Sequence, residues 1–290
     1  LDEFVAQFTV EELMDFVGGH APTGVANTGC FGGLQRLDIP PIPTADGPAG
    51  LRLEPKTGIP TTAWPCATLL ACSWDPELIY EVGAAAGNEI RENNIGIWLS
   101  PALNIHRNPL CGRNFEYFSE DPLISGKLGA NLTKGIEDMG VATSVKHYAC
   151  NNNEENRYVG DSIVDSRALH EIYLKGFETI VKEGKPQTLM CSYNKVNGIF
   201  ASENKELLTD ILRDKCSNIK LKDLIENKEI YVIKENEEIT TTQQEVINEL
   251  ENYSWQRDRQ TGEYINKPVD AFNHYMDALR YSLQCVGSPK

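Results

Sequence analysis

The sequence lacks several features that each mark a particular class of protein. No apolar run approaches the length of a membrane span. No G-x-G-x-x-G, P-loop or G-x-S-x-G motif is present, and we expect no cofactor. Basic residues are scarce, because 27 Lys and Arg stand against 42 Asp and Glu, for a net charge of −15. This charge disfavours a nucleic acid or an anionic membrane as the partner and is compatible with a neutral substrate.

Cysteine pairs of the kind that bind zinc are also missing. None of the eight cysteines lies in a C-x-x-C pair, and a chain of 290 residues is too large to need disulfide bonds. We therefore predict mostly free, buried thiols in a reducing compartment. The chain begins at Leu1 without a signal peptide, so we expect a cytoplasmic protein whose N-terminus was processed or is missing.

Strands and helices alternate through the first 215 residues. Apolar periodicity and capping signals predict helices at 9–16, 75–93, 121–139, 166–182 and 203–213. Apolar runs predict strands at 96–100, 141–145 and 188–192, and prolines predict an extended segment at 37–44. This alternation predicts a parallel α/β fold, and the polar residues after each strand favour a barrel over an open sheet. Because too few strands precede residue 215, we predict an incomplete TIM-type (β/α)8 barrel.

The composition of the chain changes near residue 215. The first 215 residues hold 21 of the 23 glycines and 13 of the 15 prolines, and strand–helix alternation stops there. We therefore predict a domain boundary between 215 and 216. Residues 1–215 form the barrel in this interpretation, and residues 216–290 form a mostly helical, polar tail.

The most informative stretch is 141–157, VATSVKHYACNNNEENR. Its apolar start is typical of a strand buried on both faces of a parallel sheet. Lys146 and His147 follow directly, and an Asn-rich loop then brings Glu154 and Arg157. A barrel enzyme presents such residues at the C-terminal ends of its strands. The alternative is a Lys-His pair at a solvated strand end.

Similar polar clusters follow the other predicted strands. In DGPAGLR (46–52) a tight turn leaves Asp46 and Arg52 free to face a pocket, or to form a local ion pair on the surface. GRNFE (112–116) is followed by SEDP, where Glu120 and Asp121 could serve a site or simply begin a helix. MCSYN (190–194) adds a phenol and an amide. This combination suits a sugar pocket, because each hydroxyl both donates and accepts hydrogen bonds.

Four of these segments resemble, in order and spacing, the N-terminal barrel domain of glycoside hydrolase family 3 of the β-glucosidase type. They are DGPAGLR (46–52), GRNFEYFSEDP (112–122), VKHYACNNNEENR (145–157) and MCSYNKVNG (190–198). The resemblance covers residues 1–215 and implies a retaining β-glycosidase that acts on a β-glucoside or oligosaccharide. By motif position it implies a glycosyl-binding subsite lined by Asp46, Arg52, Arg113, Lys146, His147, Arg157, Met190 and Tyr193.

The chain departs from this family where the catalytic carboxylates should lie. Retaining hydrolysis needs a nucleophile and an acid/base about 5–5.5 Å apart. The family's nucleophile is an Asp in a Ser-Asp-Trp type motif on a later strand, whereas residues 216–229 read CSNIKLKDLIENKE. Asp223 lies there in a polar, helix-like context that suits a nucleophile poorly. The family's acid/base usually comes from a later domain, so we expect binding with impaired hydrolysis, or a non-catalytic sugar-binding remnant.

The tail has a resemblance of its own. Residues 219–284 resemble the C-terminal end of a phage terminase large-subunit nuclease domain, especially at 266–283. His274 and Asp277 are about one helical turn apart, and in that family this position contributes to a two-metal site for phosphodiester cleavage. The alternative is an amphipathic helix with a solvated Asp. A nuclease fragment is disfavoured by the charge of −15 and by the missing upstream ligands.

Overall fold

The computed structural model describes residues 2–216 of the 290-residue chain. The described residues divide into two compact units. The larger comprises His20–Cys30 and 42–216, and the smaller comprises 2–19 and Phe31–Pro41. The predicted tail, with Asp223, His274 and Asp277, lies outside the described residues, so its helices and its metal site remain predictions.

Helices and short strands alternate along the described chain. The α-helices are α1 (Asp2–Val5), α2 (Val10–Val17), α3 (Ala67–Ala71), α4 (Pro76–Glu92), α5 (Pro122–Asp138), α6 (Ser166–Ala168) and α7 (Lys175–Glu183). Turns of 3-10 helix cover Gln35–Leu37, Pro55–Thr57, Asn114–Glu116 and Ala201–Glu203, and π-helical segments cover Leu169–Tyr173 and Glu206–Cys216. The strands are β1 (Gly19–His20), β2 (Cys30–Phe31), β3 (Ile42–Ala45), β4 (Ile97–Trp98), β5 (Ala142–Tyr148), β6 (Asp161–Ser162), β7 (Thr188–Cys191), β8 (Lys195–Val196) and β9 (Ile199–Phe200).

The smaller unit has a core of aromatic rings. Phe8 meets both Phe4 and Phe16 edge to face, with 5.3 Å between ring centroids in each pair. Helix α2 begins at the predicted capping box, in which Thr9 Oγ1 accepts a hydrogen bond from the Glu12 N–H and the Glu12 carboxylate accepts one from the Thr9 N–H. The cap fixes the start of the helix, and Phe16 then faces the aromatic core.

Strands β3, β4, β5 and β7 of the larger unit pair in parallel in that order, which confirms the predicted parallel α/β fold. Parallel neighbours need crossover connections, and α4, α5 and the pair α6–α7 provide them in turn. The sheet and its helices enclose one apolar core. The strands within residues 2–216 do not show a closed barrel, so the incomplete barrel remains a prediction. No helix in that range has the length and apolar character needed to cross a membrane.

Both long helices begin at an Asp-Pro pair. The carboxylates of Asp75 and Asp121 each accept hydrogen bonds of 2.7–3.1 Å from two backbone N–H groups of the first turn, and Pro76 and Pro122 need no such partner. The predicted helices at 75–93 and 121–139 are thereby confirmed to within one residue at each end. For Asp121, the helix start is the correct alternative.

Most of the cysteines in the described part of the chain are not buried, contrary to the prediction. Six cysteines of the described chain are free, but only Cys30 and Cys150 are buried, and Cys72 is exposed. Cys72 follows the last residue of α3, a five-residue helix that the sequence analysis did not predict, and the chain turns outward there to the exposed Trp74. The prediction of mostly buried thiols is therefore wrong for this part of the chain.

Glycines bring α4 and α5 into close contact. A Cβ atom placed on Gly135 would lie 2.2 Å from the carbonyl oxygen of Tyr80, and one on Gly83 would lie 2.5 Å from the carbonyl oxygen of Leu132. The obstructing atoms belong to the backbones of the partner helices, so no side chain can rotate away to make room. The two helices would have to move apart.

We expect Gly135→Ala to lower the free energy of unfolding by about 1–3 kcal/mol, the usual cost of overpacking. Alanine stabilises a helix by about 1 kcal/mol relative to glycine. The measured loss is therefore the overpacking cost minus this gain. Urea-induced unfolding followed by circular dichroism measures it. The control is Gly19→Ala, because a Cβ there would meet no atom within 4 Å. Equal losses in both variants would contradict the close-packing argument.

Candidate functional site

Strand β5 continues three residues beyond its predicted end and includes Lys146 and His147. Lys146 is 2% exposed and His147 is 3% exposed. The alternative of a solvated strand end is therefore wrong. A buried ammonium group needs charged or hydrogen-bonding partners, because its transfer from water is otherwise very costly. The partners come from residues far away in the chain.

Lys146 Nζ donates a hydrogen bond of 2.8 Å to Asp46 Oδ1 and lies 3.6 Å from Glu116 Oε2. Asp46 directly follows β3, and its backbone N–H donates to Asn27 Oδ1 at 3.0 Å. Burial works to raise the pKa of Asp46, but the charge and hydrogen bond of Lys146 outweigh it and hold that pKa below its usual value. Asp46 is thus a fixed carboxylate beside a fixed ammonium group.

Glu116 joins two cations in the interior. Its carboxylate accepts a hydrogen bond from Arg113 Nε and faces Lys146, and its side chain is 2% exposed. Arg113 and Glu116 belong to one turn of 3-10 helix and its N-cap, which places the two side chains together. Glu116 was not among the predicted binding residues. Its position in the GRNFE cluster, three residues after Arg113, is the sequence signal that could have identified it.

His147 is held in place on its backbone and on its ring. Asn104 Nδ2 donates to the His147 carbonyl oxygen, and the His147 N–H donates to Asn104 Oδ1, both at 2.9 Å. The Tyr117 hydroxyl lies 3.2 Å from His147 Nδ1. Burial lowers the pKa of His147 well below its usual value, and nearby positive charges lower it further, so the imidazole is neutral at pH 7. Asn104 was not among the predicted residues, because it lies in no motif and is 43 residues from its partner.

The Asn-rich loop after β5 extends the cluster towards solvent. Asn151 Nδ2 donates to the Tyr117 hydroxyl and to Glu154 Oε1, both at 3.1 Å. Glu154 Oε2 accepts a hydrogen bond of 3.0 Å from Arg157 Nη1, and Arg157 in turn lies over the rings of Tyr158 and Tyr193. Burial is the main cause that raises the pKa of Tyr117, so its phenol stays protonated.

The remaining predicted residues lie around this cluster. The Arg52 backbone N–H donates to the Asp46 carbonyl oxygen at 2.9 Å. The Arg52 side chain is exposed, and its charge helps to lower the pKa of Asp46. The ion pair that Asp46 makes is with Lys146. Tyr193 is half-exposed. Met190 is partly buried in β7, and among the described residues it makes no hydrogen bond or ring contact with the cluster.

The cluster can bind a neutral, hydroxylated ligand. Its carboxylates at 46, 116 and 154 each pair with a cation, so little net charge is left for an ionic ligand to neutralise. Charged groups fixed in this way form strong hydrogen bonds with hydroxyls, because hydroxyls donate to carboxylates and accept from ammonium and guanidinium groups. Within residues 2–216, no group of three or more His, Cys, Asp or Glu side chains could hold a metal ion.

Comparison with known families gives a match over most of the chain. The family model described as the glycosyl hydrolase family 3 N terminal domain matches residues 33–238. The chain belongs to glycosyl hydrolase family 3. The network around Lys146 therefore lies inside the matched domain of a family 3 protein.

Several β-glucosidases are similar to this chain. Beta-glucosidase A of Butyrivibrio fibrisolvens is 51% identical over 214 residues, which are 74% of this chain and 26% of that protein. The solved β-glucosidase of Paenibacillus barengoltzii is 45% identical, with a TM-score of 0.70 over 73% of this chain and 24% of that one. β-Glucosidase 3B of Thermotoga neapolitana, solved in complex with glucose, is 34% identical, with a TM-score of 0.71 over 98% of this chain and 46% of that one. The chain spans about a quarter of the length of the curated relatives it matches.

Proposed function

We propose that the cluster around Lys146 is the glycosyl-binding subsite of a β-glucosidase-type glycoside hydrolase. It would bind the terminal glucosyl unit of a β-glucoside or oligosaccharide. The observation that carries the proposal is the buried Lys146 ammonium group, held between Asp46 and Glu116. Family membership and the glucose complex of the Thermotoga relative support it. The incomplete barrel predicted from the sequence is the architecture that this proposal assumes.

Asp46 is the most exposed of the three residues Asp46, Lys146 and Glu116. Its side chain is 33% exposed, whereas those of Lys146 and Glu116 are 3% and 2% exposed. A pyranose hydroxyl at Asp46 can donate to the carboxylate and accept from a neighbouring cation. The fixed geometry lowers the cost of ordering these groups when the sugar binds. Neutral His147 can also form a hydrogen bond with a sugar hydroxyl, because an uncharged imidazole donates or accepts at its second ring nitrogen, Nε2.

We further propose that the carboxylates of this cluster bind substrate and do not react with it. Asp46, Glu116 and Glu154 each form an ion pair, whereas retaining hydrolysis needs a nucleophile and an acid/base about 5–5.5 Å apart and free to change their charge. Residues 216–290 contain no Ser-Asp-Trp type motif. The 290-residue chain is therefore expected to bind glucose and to hydrolyse β-glucosides slowly or not at all.

Titration calorimetry with glucose tests the binding proposal. We expect Asp46→Ala to weaken glucose binding about 10- to 100-fold, because hydrogen bonds to a charged group contribute about 1.5–3 kcal/mol each. The control is Glu81→Ala, which removes one exposed carboxylate from the outer face of α4. Absence of binding in the unmodified chain, or equal binding in both variants, would contradict the proposal.

A chromogenic aryl β-glucoside separates hydrolysis from binding. Slow or absent release of the chromophore, together with glucose binding, supports a sugar-binding role for this chain. Rapid release that survives mutation of Asp223 and of the acids in 216–290 would contradict the missing-nucleophile hypothesis. The terminase hypothesis for residues 219–284 is separate from this site and would be contradicted if no Mg²⁺- or Mn²⁺-dependent DNA nicking occurs.

A further inference from the structure

An exposed pair of aromatic rings lies next to the buried cluster. The centroids of the Tyr158 and Tyr193 rings are 4.9 Å apart, with 56° between the ring planes. Tyr158 is 59% exposed and Tyr193 is 50% exposed. The Arg157 guanidinium carbon lies 4.9 Å from the Tyr158 centroid and 5.4 Å from the Tyr193 centroid. Exposed aromatic side chains that pack together beside a candidate site are a candidate extension of that site.

Hydrogen bonds connect this pair to the buried residues without a break. Arg157 bonds to Glu154, Glu154 bonds to Asn151, and Asn151 bonds to the Tyr117 hydroxyl beside His147. The charge of Arg157 also acts on the buried His147 imidazole. The Tyr158–Tyr193 pair therefore lies at the end of the polar cluster that reaches the surface.

The two surfaces have different chemistry. The buried cluster offers charged hydrogen-bonding groups, which suit the hydroxyls of a sugar. The Tyr158–Tyr193 pair offers ring faces, which attract apolar and aromatic groups through dispersion and quadrupole interactions. A glycoside has a matching division, because a hydroxylated glycosyl unit is joined through one oxygen atom to a leaving group. When the glycosyl unit lies in the buried cluster, the leaving group must extend towards solvent.

We infer that Tyr158, together with Tyr193, binds the ring of the leaving group and gives the site a preference for aryl over alkyl β-glucosides. The inference rests on the proposed function and adds a residue, Tyr158, that the family resemblance did not place in the site. Arg157 makes the pair suited to this use, because its guanidinium group contacts both rings and hydrogen bonds to the Tyr158 hydroxyl at 3.0 Å. The rings are thus ordered before the ligand arrives, which lowers the cost of binding.

The test compares phenyl β-D-glucoside with methyl β-D-glucoside by titration calorimetry on the 290-residue chain. The two ligands share the glycosyl unit and differ in the leaving group, so the ratio of their affinities isolates the aromatic contact. We expect the unmodified chain to prefer the phenyl glucoside, and Tyr158→Ala to lower the phenyl-to-methyl affinity ratio roughly two- to tenfold, as for loss of an aromatic pair. Tyr158→Phe keeps the ring but loses the hydrogen bond from Arg157, and it should keep most of the ratio.

Tyr80→Ala is the matched control, because it removes a tyrosine from the helical layer, where its hydroxyl bonds to Asp138 at 2.9 Å. If methyl β-D-glucoside binds but Tyr158→Ala leaves the ratio unchanged, the leaving-group inference is wrong and the proposed function stands. If the unmodified chain binds neither glucoside, the proposed function fails and the inference fails with it. A purely structural role of Tyr158 would weaken both ligands equally, which also leaves the ratio unchanged and overturns the inference.

Discussion

Glu116→Gln is expected to lower the free energy of unfolding by about 3–5 kcal/mol, the cost of removing one partner from a buried ion pair. The substitution keeps the size of the side chain and removes its charge. Arg113 and Lys146 would then remain in the interior with the half-buried Asp46 and the more distant Glu154 to balance them. Arg113 keeps 19% exposure of its side chain, so water can relieve part of this cost and the lower end of the range is expected. Urea-induced unfolding measures the change.

The same substitution at Glu183 is the control. Glu183 pairs with Lys127 at 2.7 Å, but both side chains are well exposed, so its loss should cost less than about 1 kcal/mol. A double-mutant cycle that combines Glu116→Gln with Arg113→Gln isolates the pair itself. Similar losses at Glu116 and Glu183, or a coupling energy near zero in the cycle, would show that the buried charge network is not what stabilises this region.

The burial of Lys146 and His147 could not be predicted from the sequence. The strand after α5 was predicted to end before Lys146, because the apolar run stops at Val145. The burial of Lys146 depends on Asp46, which is 100 residues away, and on Glu116 from another loop, whereas His147 is held by Asn104, 43 residues away. No pattern in the neighbouring sequence predicts that Lys146 pairs with residues so far away. The parallel order of β3, β4 and β5 brings them together.

Helix starts were predictable for the opposite reason. Asp75 and Asp121 satisfy backbone groups two and three residues further on, so the signal is complete within a few letters of sequence. The two-residue strands β6, β8 and β9 are too short to show an alternation and were missed. Asn104 was missed because its only mark is a polar residue within an apolar run. The order of the motifs identified the candidate binding residues. The residues that form hydrogen bonds and ion pairs with them could be identified only from the structure.

Glu137→Ala is the second substitution for which we expect a large loss, about 2–4 kcal/mol of the free energy of unfolding. Glu137 Oε1 accepts hydrogen bonds from the Thr143 N–H at 3.0 Å, the Thr143 hydroxyl at 2.6 Å and the Gln187 N–H at 3.0 Å. One carboxylate near the end of α5 therefore serves the start of β5 and the residue before β7. Its removal leaves partly buried backbone N–H groups without an acceptor, at about 1–3 kcal/mol each.

The pH dependence gives this prediction a second measurement. Burial is the main cause that raises the pKa of Glu137, although its three hydrogen bonds oppose that change. Between the usual pKa of glutamate and the raised value, the folded chain binds more protons than the unfolded chain at this position. Stability contributed by Glu137 therefore falls as the pH rises through that interval, and Glu137→Gln, which does not titrate, should remove this part of the slope.

Asp138→Ala is the matched control for Glu137→Ala, because it changes the next residue of the same helix. Asp138 is exposed and accepts a hydrogen bond of 2.9 Å from the Tyr80 hydroxyl at the protein surface. Because this carboxylate stays in contact with water, its loss should cost clearly less than the loss of Glu137. If both variants lose the same stability, helix α5 is merely sensitive to substitution at its end. If only Glu137→Ala is strongly destabilised, one buried carboxylate fixes the two strands from whose ends the residues of the candidate site project.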